Sequence, residues 1–132
     1  MIHVTHIQKL LILISLLPGY WTGASATADW PTWHGNPGRT CAVDEALPDE
    51  LHLQWILELP KPKACWPTNQ HKLQFDASYE PVVMDGQIFV PSMVRDSLTA
   101  YDTATGDEQW RFYADGPVRF APVASDGKVY FV

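Results

Sequence analysis

A ten-residue pattern returns after 41 residues, and this period constrains the fold more than any other feature of the chain. The first copy is PVVMDGQIFV at residues 81–90, and the second is PVASDGKVYF at residues 122–131, so the offset is 122 − 81 = 41. Both copies carry an Asp-Gly pair at the same place. Periods of this size are typical of solenoids and propeller blades, whose units cannot bury their faces alone. The repeat therefore indicates a modular architecture and says little about a reaction.

From residue 79 onward, the pattern is one of short strands joined by tight turns. Asp85-Gly86 and Asp126-Gly127 are strong hairpin signals, because both positions of a two-residue turn take positive φ. No segment of ten or more residues after Ala26 has helical periodicity. The sequence therefore predicts an all-β chain of four-stranded antiparallel meanders. The predicted strands are Tyr79–Met84, Gln87–Ser92, Ser97–Asp102, Asp107–Tyr113, Arg119–Ser125 and Lys128–Val132.

Upstream of the repeat, one further stretch has the pattern of a strand. From Leu51 to Leu59 every second residue is apolar, which places Trp55 and four leucines on one face and predicts a strand. Residues 61–78, which follow, are irregular and rich in lysine and proline, and they predict an insertion loop. Such loops project from one face of repeat proteins, where ligands bind, although an ordinary solvated loop explains this one as well.

The N-terminus has the features of a secretory signal peptide. The apolar run Leu10–Leu17 follows a single lysine, and Ala24-Ser25-Ala26 supplies a cleavage site of the A-x-A type. Residues 1–26 are therefore predicted to be removed on export, which places the protein in the periplasm or outside the cell. The alternative is an uncleaved anchor, which Pro18 and Gly19 make a poor spanning helix. No other apolar stretch is long enough to span a bilayer, so no stable membrane span is expected after cleavage.

Charge and cysteine content narrow the classes of partner and cofactor. The formal net charge is −6, from 9 basic and 15 acidic residues, which argues against nucleic acid as a partner. Cys41 and Cys65 could form a disulfide outside the cytoplasm, but no strand geometry brings them together, and the sequence leaves both states open. Their spacing does not fit redox chemistry or a zinc site.

The segment from Ala100 to Trp110 carries the most specific local pattern, A-x-D-x-x-T-G-x-x-x-W. Asp102 can accept hydrogen bonds from turn amides ahead of it, and Thr105 can add its hydroxyl. Gly106 can adopt the left-handed conformation that starts the next strand, in which Trp110 lies. An ordinary hairpin with a core tryptophan would explain this segment alone. The 41-residue period and the two Asp-Gly hairpins favour a repeat unit instead.

This pattern resembles the repeat of pyrroloquinoline-quinone (PQQ)-type β-propellers. The resemblance implies four-stranded blades in which the outer-strand tryptophan docks between neighbouring blades, beside the peptide planes of the turn. Residues 79–132 would then be one full blade and the inner half of the next, a propeller truncated after about one and a half blades. Gln54-Trp55 is similar to Gln109-Trp110, so residues 27–60 would comprise an irregular segment and another outer strand. The segments DWPTWHGNPGRT and FDASYEPVV also look like secreted bacterial, planctomycete-like propellers of this kind.

The resemblance includes enzymes, but this chain lacks residues that are typical of their active sites. Enzymes of the family oxidise alcohols or sugars with PQQ and calcium, and typically place an adjacent cysteine pair against the quinone. Cys41 and Cys65 are not adjacent, and His34, His52 and His71 lack the spacing of metal ligands. No hydrolase, zinc-protease or nucleotide-binding pattern occurs. We therefore expect no catalytic residues and no metal site in this chain, with PQQ and calcium implied by the resemblance only.

The expected function is an exported, non-catalytic repeat protein with a binding or scaffold role toward a protein partner or an extracellular ligand. One alternative is the N-terminal part of a PQQ-dependent dehydrogenase. A second is an extracellular carbohydrate-binding module, suggested by Trp30, Trp33 and Trp66. The fold does not distinguish these, because one fold carries many functions.

Overall fold

The computed structural model describes residues 28–67, 69, 70, 72 and 78–132. The predicted signal peptide lies outside these residues, and the predicted insertion loop is described in part. Every regular element of the described chain is a strand, as predicted for an all-β protein. The strands are β1 (Val82–Met84), β2 (Gln87–Ser92), β3 (Ser97–Asp102), β4 (Glu108–Tyr113), β5 (Val123–Ser125) and β6 (Lys128–Tyr130).

The first sheet is a four-stranded antiparallel meander in the order β1-β2-β3-β4. In its middle, Ala100 of β3 lies opposite Phe89 of β2 on one side and Trp110 of β4 on the other. The β3–β4 register shifts at Ala100/Tyr101, next to the turn that joins the two strands. Strand β3 is almost wholly buried, whereas β4 is mostly exposed. The sheet therefore has a protected interior and an exposed outer strand, as a propeller blade does.

Strands β5 and β6 form a second, two-stranded sheet. Its turn, Asp126-Gly127, has φ values of 50° and 69°, and the corresponding turn of the first sheet, Asp85-Gly86, has 52° and 73°. Positive φ at both positions matches the twist of the flanking strands, and Asp and Gly accept it at low cost. The two hairpins of the 41-residue period thus have the same backbone conformation.

The hydrophobic core lies between the two sheets. The fully buried Val82 and Leu98 pack with Phe89 and Ala100 of the first sheet and with Ala124 of the second. Burying one such aliphatic or aromatic side chain contributes roughly 1.5–3 kcal/mol. The second hairpin is therefore held against the first sheet mainly by apolar packing.

Residues 28–41, which we name the strap, connect the inner edges of both sheets. Trp30 and Val83 exchange backbone hydrogen bonds of 2.7 and 2.9 Å, and the Ala124 N–H donates to the Pro31 carbonyl at 2.8 Å. The Asp85 N–H also donates to a carboxylate oxygen of Asp29 at 3.0 Å. The proline- and glycine-rich segment has no regular structure, as predicted, but it covers backbone groups that would otherwise be open edges.

The strand predicted at Leu51–Leu59 is not formed, which corrects the sequence prediction. Residues 51–59 have no regular secondary structure and belong to neither sheet. The expected alternation holds only in the second half, where Trp55, Leu57 and Leu59 are half-buried, while Leu51 and Leu53 are exposed. A strand needs a hydrogen-bonded neighbour, and the described part of the chain places no strand beside this segment.

Candidate functional site

The turn between β3 and β4 is held by the side chains that the repeat pattern singled out. One carboxylate oxygen of Asp102 accepts the N–H groups of Ala104 at 2.8 Å and Thr105 at 2.9 Å. The Thr105 hydroxyl accepts the Asp107 N–H at 3.2 Å. Gly106 has a φ of 78° and donates its N–H to the Asp102 carbonyl at 2.9 Å. We name residues 102–107 the docking turn.

These hydrogen bonds also affect the acidity of Asp102. The backbone N–H groups of Thr105 and Ala104 favour the charged carboxylate and hold the pKa of Asp102 below its ordinary value. The slight loss of solvent around the carboxyl acts in the opposite direction and is outweighed. The hydrogen bonds of the docking turn are therefore stronger when Asp102 is ionised.

Trp55 packs on the docking turn. The sequence analysis placed Trp55 on a strand but did not name this turn as its partner. Its indole N–H donates to the Thr103 carbonyl at 2.9 Å. Its ring lies so close to Gly106 that a Cβ at this position would be 2.8 Å from the nearest ring carbon. Glycine is thus required at position 106 both by its positive φ and by the approach of the indole.

The docking turn is also joined to the hairpin turn of the same sheet. Both the N–H and the hydroxyl of Thr103 donate to the Gly86 carbonyl at 3.0 Å. Trp55, the docking turn and Asp85-Gly86 therefore form one connected cluster at one end of the first sheet. This cluster holds Trp55 against the first sheet without any strand pairing.

Trp110 is the tryptophan of the motif, and it is not covered in the same way. It lies in β4 with 40% of its surface exposed, and its ring centroid is 5.8 Å from that of Phe89. Together with Phe112, which is also exposed, it forms part of an open groove between the two sheets, with a volume of about 290 Å³. We name this the apolar groove. Its other apolar lining residues are Met84, Phe89, Leu98, Ala124, Val129 and Phe131.

The three tryptophans considered for carbohydrate binding have different surroundings. Trp30 is half-buried in the strap, where its ring packs on Gly35. Trp33 has 44% and Trp66 has 37% of its surface exposed. The ammonium of Lys72 lies 3.8 Å from the ring centroid of Trp66.

The sequence leaves the pairing of Cys41 with Cys65 open, and the structure shows no bond between the two thiols. Cys41 is exposed and its thiol lies 4.0 Å from the Arg39 carbonyl, while Cys65 is half-buried. Across the described ranges, no apolar helix of bilayer-spanning length is present.

The histidine and acidic side chains of the described residues are scattered. Nowhere in the part of the chain that the structure describes do three His, Cys, Asp or Glu side chains converge to hold a metal ion. His34 lies beside Trp33, with 3.7 Å between the ring centroids, and the exposed His52 pairs with Glu50 at 3.6 Å. His71 lies outside the described residues.

Comparison with known proteins supports the repeat pattern. The family model described as outer membrane protein assembly factor BamB, a model of PQQ-like repeats, matches residues 49–132, which is more than half of the chain. The match includes Trp55, the docking turn and both sheets. No curated protein and no solved structure gives a significant match.

Proposed function

The chain belongs to the PQQ-like repeat family, and from this premise we propose that it is an exported, non-catalytic repeat protein with a binding or scaffold role. The apolar groove is the observation that carries this proposal. Trp110 and Phe112 expose large aromatic surfaces side by side, and contiguous exposed apolar surface is typical of interaction sites. The partner would be a protein, in keeping with the description of the family model.

The docking turn indicates what kind of protein segment the groove takes. Trp55 already fills the docking turn, so a second copy of the described chain cannot offer that turn to Trp110. The proposed occupant is therefore a further repeat segment with its own A-x-D-x-x-T-G turn, which would cover Trp110.

Crosslinking from β4 in cells that export the protein tests this role. A photoreactive phenylalanine replaces Phe112, which lines the groove, or Gln109, an exposed residue of the same strand that does not line it. We expect position 112 to yield one recurrent partner that contains PQQ-like repeats, and position 109 not to yield it. Identical products from both positions, or no recurrent product from position 112, would contradict the scaffold role.

Export is the second part of the proposal, and it rests on the apolar run and the A-x-A site of the sequence. N-terminal sequencing of the protein recovered from the periplasm or medium should give Thr27 as the first residue. An intact N-terminus in the membrane fraction would instead support an uncleaved anchor. Calcium-dependent dye reduction with bound PQQ by the purified chain would overturn the non-catalytic part of the proposal in favour of a dehydrogenase.

A further inference from the structure

A second cavity lies on the strap, apart from the apolar groove and the docking turn. It has a volume of about 320 Å³ and is lined by Trp33 of the strap, Glu80 before β1, and Phe120 and Ala121 before β5. Three segments that are distant in sequence thus meet around it. Trp33 and Phe120 have 44% and 48% of their surfaces exposed, so both aromatic side chains are accessible to a ligand.

The repeat shows that this cavity is not simply a product of the blade pattern. At an offset of 41 residues, Tyr79 corresponds to Phe120 and Glu80 corresponds to Ala121. The Tyr79 hydroxyl donates to the Pro60 carbonyl at 2.7 Å, whereas its counterpart Phe120 lines the cavity. Glu80, which has no acidic counterpart in the second copy, accepts the Ala121 N–H at 3.1 Å through one carboxylate oxygen. The carboxylate is therefore held at the cavity wall by the neighbouring repeat.

Trp33 is likewise held in position rather than free. The His34 ring centroid lies 3.7 Å from that of Trp33, and the guanidinium carbon of Arg39 lies 5.3 Å from the Trp33 ring centroid. Fixed aromatic side chains bind a ligand at a lower cost in conformational entropy than mobile ones do. The strap thus presents a preorganised indole to the cavity.

The charges around the cavity select the class of ligand. Among the lining residues Glu80 is the charged one, so an anion would meet its carboxylate. A neutral ligand with many hydroxyl groups avoids this penalty, because carboxylates accept hydrogen bonds from O–H donors. Its apolar C–H faces can pack on the two aromatic rings.

We propose that this cavity is a binding site for a neutral saccharide ring. Trp33 and Phe120 provide the apolar contacts, and Glu80 accepts hydrogen bonds from hydroxyl groups. A mainly apolar pocket with a few convergent polar groups is the usual form of a small-molecule site. The proposal goes beyond the scaffold role and does not depend on it, since none of these residues belongs to the apolar groove or the docking turn.

Saturation-transfer NMR on the full chain tests the site with glucose, galactose, mannose and N-acetylglucosamine, and with choline and acetate as charged probes. We expect saturation transfer to at least one of the sugars and a weaker response from both charged probes. Trp33→Ala and Glu80→Gln should each weaken sugar binding by about tenfold or more, the scale of one lost strong contact. The matched control Trp66→Ala removes another exposed indole that does not line the cavity, and it should bind as the unchanged protein does.

Several results would overturn the proposal. These are no transfer to any of the four sugars, tighter binding of choline or acetate than of sugar, or equal loss of binding in Trp66→Ala and Trp33→Ala. Each variant must retain the amide chemical-shift dispersion of the folded chain, so that lost binding is not confused with lost structure. Glu80→Gln keeps an oxygen that can accept the Ala121 N–H, so binding that is unchanged in this variant also counts against the site.

Discussion

The residue types at positions 106 and 102 are constrained by backbone conformation and by hydrogen bonds, respectively. The pattern predicted a left-handed conformation at Gly106 and a turn-capping role for Asp102, and the structure has φ 78° at the first and two short N–H contacts at the second. The contact of Trp55 with Gly106 could not be read from the local sequence, because the two residues are 51 positions apart (106 − 55). Turn chemistry is local, whereas docking depends on the fold.

Three glycine substitutions separate backbone strain from steric contact. Gly106→Ala combines a positive φ with the Trp55 ring and should destabilise the protein by about 2–4 kcal/mol. Gly127→Ala has the positive φ but open space around the new Cβ, and should cost about 1 kcal/mol. Gly116→Ala has neither and should change stability by no more than about 0.5 kcal/mol. Urea unfolding measures all three, and equal effects of the first two would contradict the contact with Trp55.

Acid should loosen the docking turn through Asp102. The folded-state pKa of this carboxyl is lowered by the Thr105 and Ala104 N–H groups, so the stabilisation is present above the unfolded value of about 3.9 and is lost as pH falls through the folded value. Unfolding curves below about pH 4 should therefore show declining stability. Asp102→Asn keeps an acceptor but cannot titrate, so it should be less stable than the unchanged protein at neutral pH and should lose stability less steeply in acid. An identical acid profile in both proteins would exclude this role of Asp102.

At the scale of elements, the alternating patterns and turn signals located the strands well. The bounds of β2 and β3 agree with the predicted Gln87–Ser92 and Ser97–Asp102, and β4 begins one residue later than predicted. Strand β5 begins at Val123 instead of Arg119, because the Ala121 N–H bonds to Glu80 and Pro122 has no N–H to donate. The alternating run at Leu51–Leu59 has a strand pattern but lacks a partner strand among the described residues. Periodicity indicates which face is apolar, but not whether a neighbouring strand is present.

Two tryptophan truncations compare Trp55, which packs on the docking turn, with Trp110, which is exposed in the apolar groove. Trp55→Ala removes a half-buried indole, its hydrogen bond to Thr103 and its packing on Gly106, and should cost about 3 kcal/mol. Trp110→Ala removes an indole with 40% of its surface exposed and should cost clearly less. Thermal or urea unfolding of both variants measures the difference. If Trp110→Ala were the more damaging change, Trp110 would be covered in solution and the apolar groove would not be open.

At the scale of the whole molecule, the strap unites the two sheets. The sequence predicted only an irregular segment here. Its actual partners are backbone groups of Val83 and Ala124, which are 41 residues apart and belong to corresponding strands of the repeat. Backbone pairing of this kind leaves no trace in side-chain patterns. The cavity lined by Trp33 and Glu80 was unforeseen for the same reason, because distant segments create it.

Deleting residues 28–41 should expose the inner edges of both sheets. The Val83 and Ala124 amides donate to Trp30 and Pro31, so their hydrogen exchange should accelerate in the shortened protein. Amides of β3, which is paired on both sides within its own sheet, should keep their protection and serve as the internal control. Unchanged protection at Val83 and Ala124 would show that the strap does not cover these strands. A general loss of protection that includes β3 would mean that the strap is needed for the whole fold.

The packing of Trp55 on the docking turn connects the conformation of Gly106, the segment 51–59 and the repeat motif in one contact. Nuclear Overhauser measurements on the full chain test it most directly. The account predicts cross-peaks between the indole ring protons of Trp55 and the α-protons of Gly106, together with slow exchange of the Trp55 indole N–H, which bonds to Thr103. Absence of these cross-peaks with rapid exchange of the indole N–H, in a chain whose β3 amides remain protected, would contradict it.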